Sequence, residues 1–255
     1  MTTTTLTRRP WTDLVVAIQF LTRVPTPRVE YSPDALARSV MWFPLVGLLI
    51  GGSAALVAHL LTPHVARPVV ALAIVFYLIL LTGALHEDGL ADAADAFGGG
   101  WTRDRILAIL RDSRIGSYGA IALIVSLAAR VLLLGTMPPG NVVGYLIAAH
   151  VLCRWTTLPL STFLPAARAE SDGQGARLAR RTTLTTLYLG SALTLLIVGI
   201  TLRLHSIAPI LAVAAIAVIS ARFYQYKIKG VTGDCFGATN QLAEIAVYLC
   251  GAWIA

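Results

Sequence analysis

Long uncharged runs alternate with short charged ones along almost the whole chain. Residues 39–66 and 68–85 carry no formal charge, 115–137 is interrupted only by Arg130, and 142–163 carries only His150 and Arg154. Residues 182–202 and 206–221 are again uncharged, and 236–255 approaches membrane length only with Glu244 included. Runs of about 20 apolar residues are what a helix needs to cross a bilayer, so the pattern predicts six to seven transmembrane helices. Two further segments have a different rhythm. Residues 11–24 read as a short amphipathic helix, too polar to span, that lies along the interface and ends at Arg23 and Pro25. In 101–113, Ile106, Leu107 and Leu110 recur at helical spacing, with Arg103, Asp104, Arg105, Arg111 and Asp112 between them, which predicts a cytoplasmic amphipathic helix. Pro25, Pro27 and Pro33 forbid a continuous helix after the first segment. Pro138-Pro139-Gly140-Asn141 marks a tight turn, and 164–181 is a polar loop.

Composition agrees with the pattern. Of 255 residues 56% are hydrophobic and 13% charged, with a mean hydropathy of +0.74, whereas soluble domains carry about 25% charged residues. The fold class is therefore all-α, a polytopic helical bundle whose partner is the lipid bilayer. No polar linker divides it, so 1–255 reads as one membrane-embedded catalytic domain. The polar residues 1–9 and the short run after them lack the form of a cleaved secretory signal. Cys153, Cys235 and Cys250 are too far apart for a zinc site and odd in number, so no disulfide framework is implied. The net charge of +7 does not mark a nucleic-acid binder, because no basic stripe with interleaved aromatics occurs. With the N-terminus inside, sixteen Lys and Arg fall on the inner side and only Arg67 and Arg203 outside. That bias sets the orientation of the chain and opens the carboxylates to the cytoplasm. A homo-oligomer is compatible with this reading.

The charged anomaly is His86-Glu87-Asp88-Gly89-Leu90-Ala91-Asp92-Ala93-Ala94-Asp95, where an apolar run delivers four carboxylates within nine residues. On a helix Asp88, Asp92 and Asp95 share one face at i, i+4 and i+7, and like charges so spaced repel. Oxygen ligands of this kind suit a hard divalent cation such as Mg²⁺, although a solvated acidic helix start would carry the same residues. The metal candidates are Asp88, Asp92, Asp95, Glu87 and the distant Glu244. A second string, Arg111-Asp112-Ser113-Arg114-Ile115-Gly116-Ser117-Tyr118-Gly119, sets two arginines beside small residues and free amides at a helix start. This suits a phosphate, with Arg111, Arg114, Ser113 and Gly116 as candidates, but positive-inside bias would place the same arginines. A third string, Lys229-Gly230-Val231-Thr232-Gly233-Asp234, offers Asp234 as a ligand or general base and Lys229 as an anion contact. Arg154, inside a span, is costly unless it points toward a carboxylate or an anionic substrate. His86 stands apart from the other histidines only by its acidic company.

These strings, with Phe20-Leu21-Thr22-Arg23-Val24-Pro25 and Phe43-Pro44-Leu45-Val46-Gly47, resemble the cobalamin 5′-phosphate synthase family, also called adenosylcobinamide-GDP ribazoletransferases. The likeness runs from about Phe20 to Glu244, and the chain has Lys229-Gly230 where members often have Gly-Gly. The resemblance implies an inner-membrane enzyme that joins adenosylcobinamide-GDP to α-ribazole or its 5′-phosphate, releases GMP and uses Mg²⁺. It implies Asp88, Asp92 and Asp95 on the metal, Arg111 and Arg114 on phosphate, and Asp234 as ligand or base, with His86 among the catalytic residues. A CDP-alcohol phosphotransferase is the nearest rival enzyme, but its pattern needs Ala-Arg where this chain has Leu90-Ala91-Asp92. An ion-coupled transporter would hold its carboxylates near the membrane midplane, whereas these gather at one boundary.

Overall fold

The computed structural model describes residues 10–27, 29, 33–168, 178 and 182–253. The expected polar N-terminus 1–9, most of the polar loop after residue 168, and Arg8, Arg9, Arg28, Arg177, Arg180 and Arg181 of the charge count lie outside them. Among the described residues the chain is helical apart from turns and one isolated parallel bridge between Ala166 and Val231.

Helix α1 (Pro10–Leu21) and the short α2 (Pro33–Ser39) are tied by an Arg38–Asp13 ion pair at 3.1 Å. After a 3₁₀ turn, Pro44 at the second position starts α3 (Phe43–Leu61), where its missing N–H costs nothing. α3 packs along α8 (Pro139–Trp155). Gly47 and Gly51 permit this closeness, since a Cβ on Gly51 would meet the Ile147 Cα at 2.7 Å. Contact without side chains between is how membrane helices gain packing when lipid offers no hydrophobic drive.

Chain direction alternates between two ends of the bundle. α4 (Arg67–Thr82) starts beside the last turns of α7 (Ser117–Thr136), with Arg67 bonded to the Met137 carbonyl. α10 (Leu184–Leu202) begins against Leu158 and finishes against Gly144, near the start of α8. The chain then turns at Arg203–Ser206, where Arg203 has φ 52°, and α11 (Ile207–Ile228) returns to bring Tyr224 against Cys235 of α12 (Gly233–Ala252). By length and composition three helical runs suffice to cross a membrane, Ala35–Leu61, Ser117–Thr136 and Leu184–Ile228, the last containing the reversal between α10 and α11. The expected count of six to seven included helices that are shorter, such as α4 with 16 residues and α8 with 17. It also included α12, whose inner face buries Asn240, Gln241 and Glu244. The expected run 142–163 is divided: it turns at Thr156 into α9 (Thr157–Phe163).

The run 68–85 does not end where α5 (Leu85–Gly99) begins to climb out of the bilayer, because α5 turns 91° away from α4. Gly83 and Ala84 both adopt left-handed backbone, φ 66° and 58°, which ends α4 and turns the chain. The Arg23 side chain lies where a Gly83 Cβ would be, and the Arg23 amide donates to the Leu81 carbonyl at 2.7 Å. The acidic helix thus leaves the direction of α4 at a right angle, with His86 and Glu87 at its start buried in the bundle. α6 (Arg103–Ile109), capped by the Thr102 hydroxyl, follows at the same end as the expected surface helix.

Candidate active site

One continuous helix carries Asp88, Asp92 and Asp95, so they share the face the spacing requires. Asp88 is exposed, Asp92 and Asp95 are half-buried, and His86 and Glu87 turn inward. α12 crosses α5 at Gly89 and Gly237, which brings Asp234, at the start of α12, beside the acidic face. The Thr232 hydroxyl donates to Asp234 Oδ2 at 3.1 Å. Burial first, then the charges of Asp88, Asp234 and Asp95, push the Asp92 carboxyl up to about 6. Crowded carboxylates without a counter-charge behave in this way.

Glu87 and Glu244 do not belong to this cluster, contrary to the expectation that they are metal ligands. Both face the buried guanidinium of Arg130 on α7, Glu87 at 2.9 Å and Glu244 at 3.5 Å. Consecutive helix residues point about 100° apart, so Glu87 enters the bundle where Asp88 leaves it. Arg130, 1% exposed, ties the acidic helix to α12 and is stabilised by the two carboxylates.

Asp95 is also placed differently. Its two carboxylate oxygens accept the Gly116 amide at 2.7 Å and the Gly119 amide at 2.8 Å, so it caps α7. The Gly116 amide expected to be free for phosphate is therefore engaged. Ser113 is exposed, and Arg114 is exposed and forked onto Asp112 at 2.6 Å, a pair that holds the Asp112 carboxyl down at about 2. Arg154 was expected to meet a carboxylate or substrate; instead its Nη1 contacts His150 Nδ1 at 3.0 Å and donates to Cys153 Sγ at 3.2 Å within α8. Lys229 is exposed at the end of α11 with φ 57°, left-handed backbone that glycine occupies without strain. No contact among the described residues joins Lys229 to Asp234.

Arg168 is the residue the sequence did not single out. Val231 donates to the Pro165 carbonyl at 2.9 Å and Ala167 to the Val231 carbonyl at 3.0 Å, pinning the chain after α9 to the turn before α12. Arg168 thereby comes close to Asp234 and Arg111; its pKa is lowered by burial first and then by Arg111, with Asp234 opposing. No residue pattern around 165–168 announces this, because the pairing is made by backbone.

His86 lines a cavity of about 130 Å³ together with Asp88 and Asp234. No described residue hydrogen-bonds its ring.

The donor set of Asp88, Asp92 and Asp234 is all oxygen, carries excess negative charge and fits a hard divalent cation. Their ligand atoms do not all lie within 4.8 Å of one another, and the only described group that does is His150, Cys153 and Glu244. Those three already face the guanidinium groups of Arg154 and Arg130, which take the place of a cation.

An all-α, multi-pass bundle with an aspartate-bearing helix folded across one end places the chain among membrane-embedded enzymes. Residues 13–252 match the family model described as cobalamin-5-phosphate synthase, and the chain belongs to that family of cobalamin-biosynthesis transferases. It is 43% identical to the adenosylcobinamide-GDP ribazoletransferase of Azorhizobium caulinodans, with 95% of each chain covered. It is 40% identical to the enzyme of the same name from Sinorhizobium medicae, covering 94% of this chain and 95% of the relative. The Shewanella piezotolerans enzyme of that name is 35% identical, with 92% of each covered. No solved structure matches.

Proposed function

We propose that this enzyme joins adenosylcobinamide-GDP to α-ribazole or α-ribazole 5′-phosphate, releasing GMP, with Mg²⁺ as cofactor. The observation that carries the proposal is the convergence, at one end of the bundle, of Asp88, Asp92 and Asp234 with Arg111 and Arg168. A diphosphate needs both signs: cationic groups for its oxygens, and carboxylates to hold the cation it brings. The names of the relatives supply the substrate class.

In this reading the ribose hydroxyl of the acceptor attacks the corrinoid-side phosphorus. An O–P bond forms, the P–O–P bridge breaks, and GMP departs with the bridging oxygen. Asp88, Asp92 and Asp234 would hold Mg²⁺, which when bound neutralises phosphoryl oxygens and the leaving group. Arg111 and Arg168 bind the anionic oxygens, for which a planar guanidinium is well shaped. His86, facing the cavity beside Asp88, accepts the hydroxyl proton at a ring nitrogen.

The charge distribution supports an inner-membrane location with the site facing the cytoplasm: Arg67 and Arg203 stand at the far end, and Arg103, Arg111, Arg168 and Lys229 at the site end. The test is mass-spectrometric detection of GMP and the joined corrinoid from proteoliposomes holding this chain and both substrates, with and without a chelator. Absence of both products with Mg²⁺ present would refute the proposal.

A further inference from the structure

Two strings of the sequence have no part in the chemistry above, Phe20 to Pro25 and Phe43 to Gly47. The fold brings them together. Phe20, at the end of α1, stacks on Phe43, at the start of α3, with ring centroids 5.6 Å apart and planes 16° from parallel. Both rings line the 130 Å³ cavity that also touches Asp88 and Asp234, and Phe236 from the first turn of α12 closes another side. The acidic face thus opens onto an aromatic chamber roofed by a helix that does not span.

The wall chemistry restricts what can enter. Among the described residues, Thr157 and His86 are its side chains able to hydrogen-bond apart from the two aspartates, and no described arginine or lysine lines it. A corrin macrocycle is far too large for the volume. A flat, uncharged bicyclic base suits the space: its faces meet phenyl rings, which favour offset or edge contacts, and a single ring nitrogen can be met by Thr157 or His86.

We propose that this chamber binds the azole base of the ribosyl acceptor, with the attached ribose reaching out to Asp88 and Asp234, so that Phe20, Phe43 and Phe236 determine which bases the enzyme uses. The assignment rests on the transferase reading above. It adds that the acceptor enters base-first beneath α1, while the nucleotide-activated corrinoid approaches from the arginine side.

Phe20 is half-buried and can be changed with least damage to the core. In Phe20→Ala the KM for α-ribazole should rise about tenfold, the loss expected for about 1.4 kcal/mol of ring contact, while the KM for adenosylcobinamide-GDP stays within twofold. A second measurement needs no turnover. Equilibrium dialysis of free 5,6-dimethylbenzimidazole against the purified protein should show binding that Phe20→Ala weakens and that Thr157→Phe, which fills the chamber, abolishes, in variants whose thermal unfolding confirms the fold. Binding by wild type that responds in this way without any GMP release would uphold the chamber and sink the transferase reading. Turnover by wild type with an unchanged ribazole KM in Phe20→Ala, or dialysis binding indifferent to both substitutions, would overturn the chamber assignment alone.

Discussion

Gly89 of α5 and Gly237 of α12 cross with no space for a side chain on either. A Cβ on Gly89 would stand 3.1 Å from the Gly237 Cα, and one on Gly237 would stand 3.0 Å from the Gly89 Cα. Asp88 precedes one of these glycines, and Asp234 lies one helical turn before the other, so the crossing sets how far apart the two carboxylates stand. Gly237→Val should push the helices apart, at a stability cost of roughly 1–3 kcal/mol for overpacking. Activity should fall far more than the fold, and the Mg²⁺ concentration giving half-maximal rate should rise. Thermal unfolding in detergent and GMP release against Mg²⁺ separate the two effects; equal Mg²⁺ dependence in the variant would free the crossing from any part in the site.

Asp88→Asn and Asp92→Asn each remove one negative charge at nearly constant size, so insertion and folding should survive. Turnover should fall by orders of magnitude, with only partial recovery in excess Mg²⁺. Wild-type rates and wild-type Mg²⁺ dependence in both variants would show that the acidic face is not the metal site.

Asp95→Ala should behave differently, because this side chain holds two amides of α7. Losing a double cap costs about 1–2 kcal/mol of stability, and the fall in activity should follow the loosening of 111–116 rather than altered Mg²⁺ affinity. Limited proteolysis of that segment, compared between variant and wild type, reports it directly.

The crowding at Asp92 gives a pH signature. Its pKa in the fold, about 6, is raised above the ordinary 3.8. Protonation therefore favours the folded state, and this gain, fully present below the unfolded value, is lost as pH rises through about 6. Cation-free protein should melt higher at pH 5 than at pH 7 relative to Asp92→Asn, and a divalent cation at pH 7 should narrow the difference. An identical pH dependence of melting in wild type and Asp92→Asn would count against like-charge repulsion at this site.

Orientation can be read by thiol labelling in a background without Cys153, Cys235 and Cys250. A cysteine at Gly99 or Ala166 should be shielded from an impermeant reagent added outside, and one at Gly140 should react. Outside labelling at Gly99 would turn the site to the opposite face.

The bundle and the acidic helix were legible in the sequence because bilayer crossing demands uncharged runs, and a run that ends in Asp88, Asp92 and Asp95 stands out against them. Two facts were not legible. One is the parting of Glu87 from Asp88: neighbouring carboxylates look alike in a string, and only the position of Arg130, 43 residues away, decides which turns inward. The other is Arg168, whose place, with Nη2 on the Leu107 carbonyl at 2.8 Å, follows from backbone pairing of 165–167 with Val231 and leaves no side-chain signature. The free amides expected at the start of α7 failed for a related reason. A helix start takes whatever acceptor the fold supplies, and here it is Asp95.

The two bonds from Asp95 to Gly116 and Gly119 make the acidic helix and the basic segment one thermodynamic unit. An anion that orders 111–116 steadies α5 through Asp95, and a cation that settles the face of α5 steadies 111–116 by the same route. The coupling is reciprocal: whatever factor the cation adds to anion affinity, the anion adds to cation affinity. Neither ligand needs to touch the other for each to bind more tightly than it would alone, and Asp95→Ala, which removes the two bonds, would leave the remaining residues of both sites in place while losing that mutual preference.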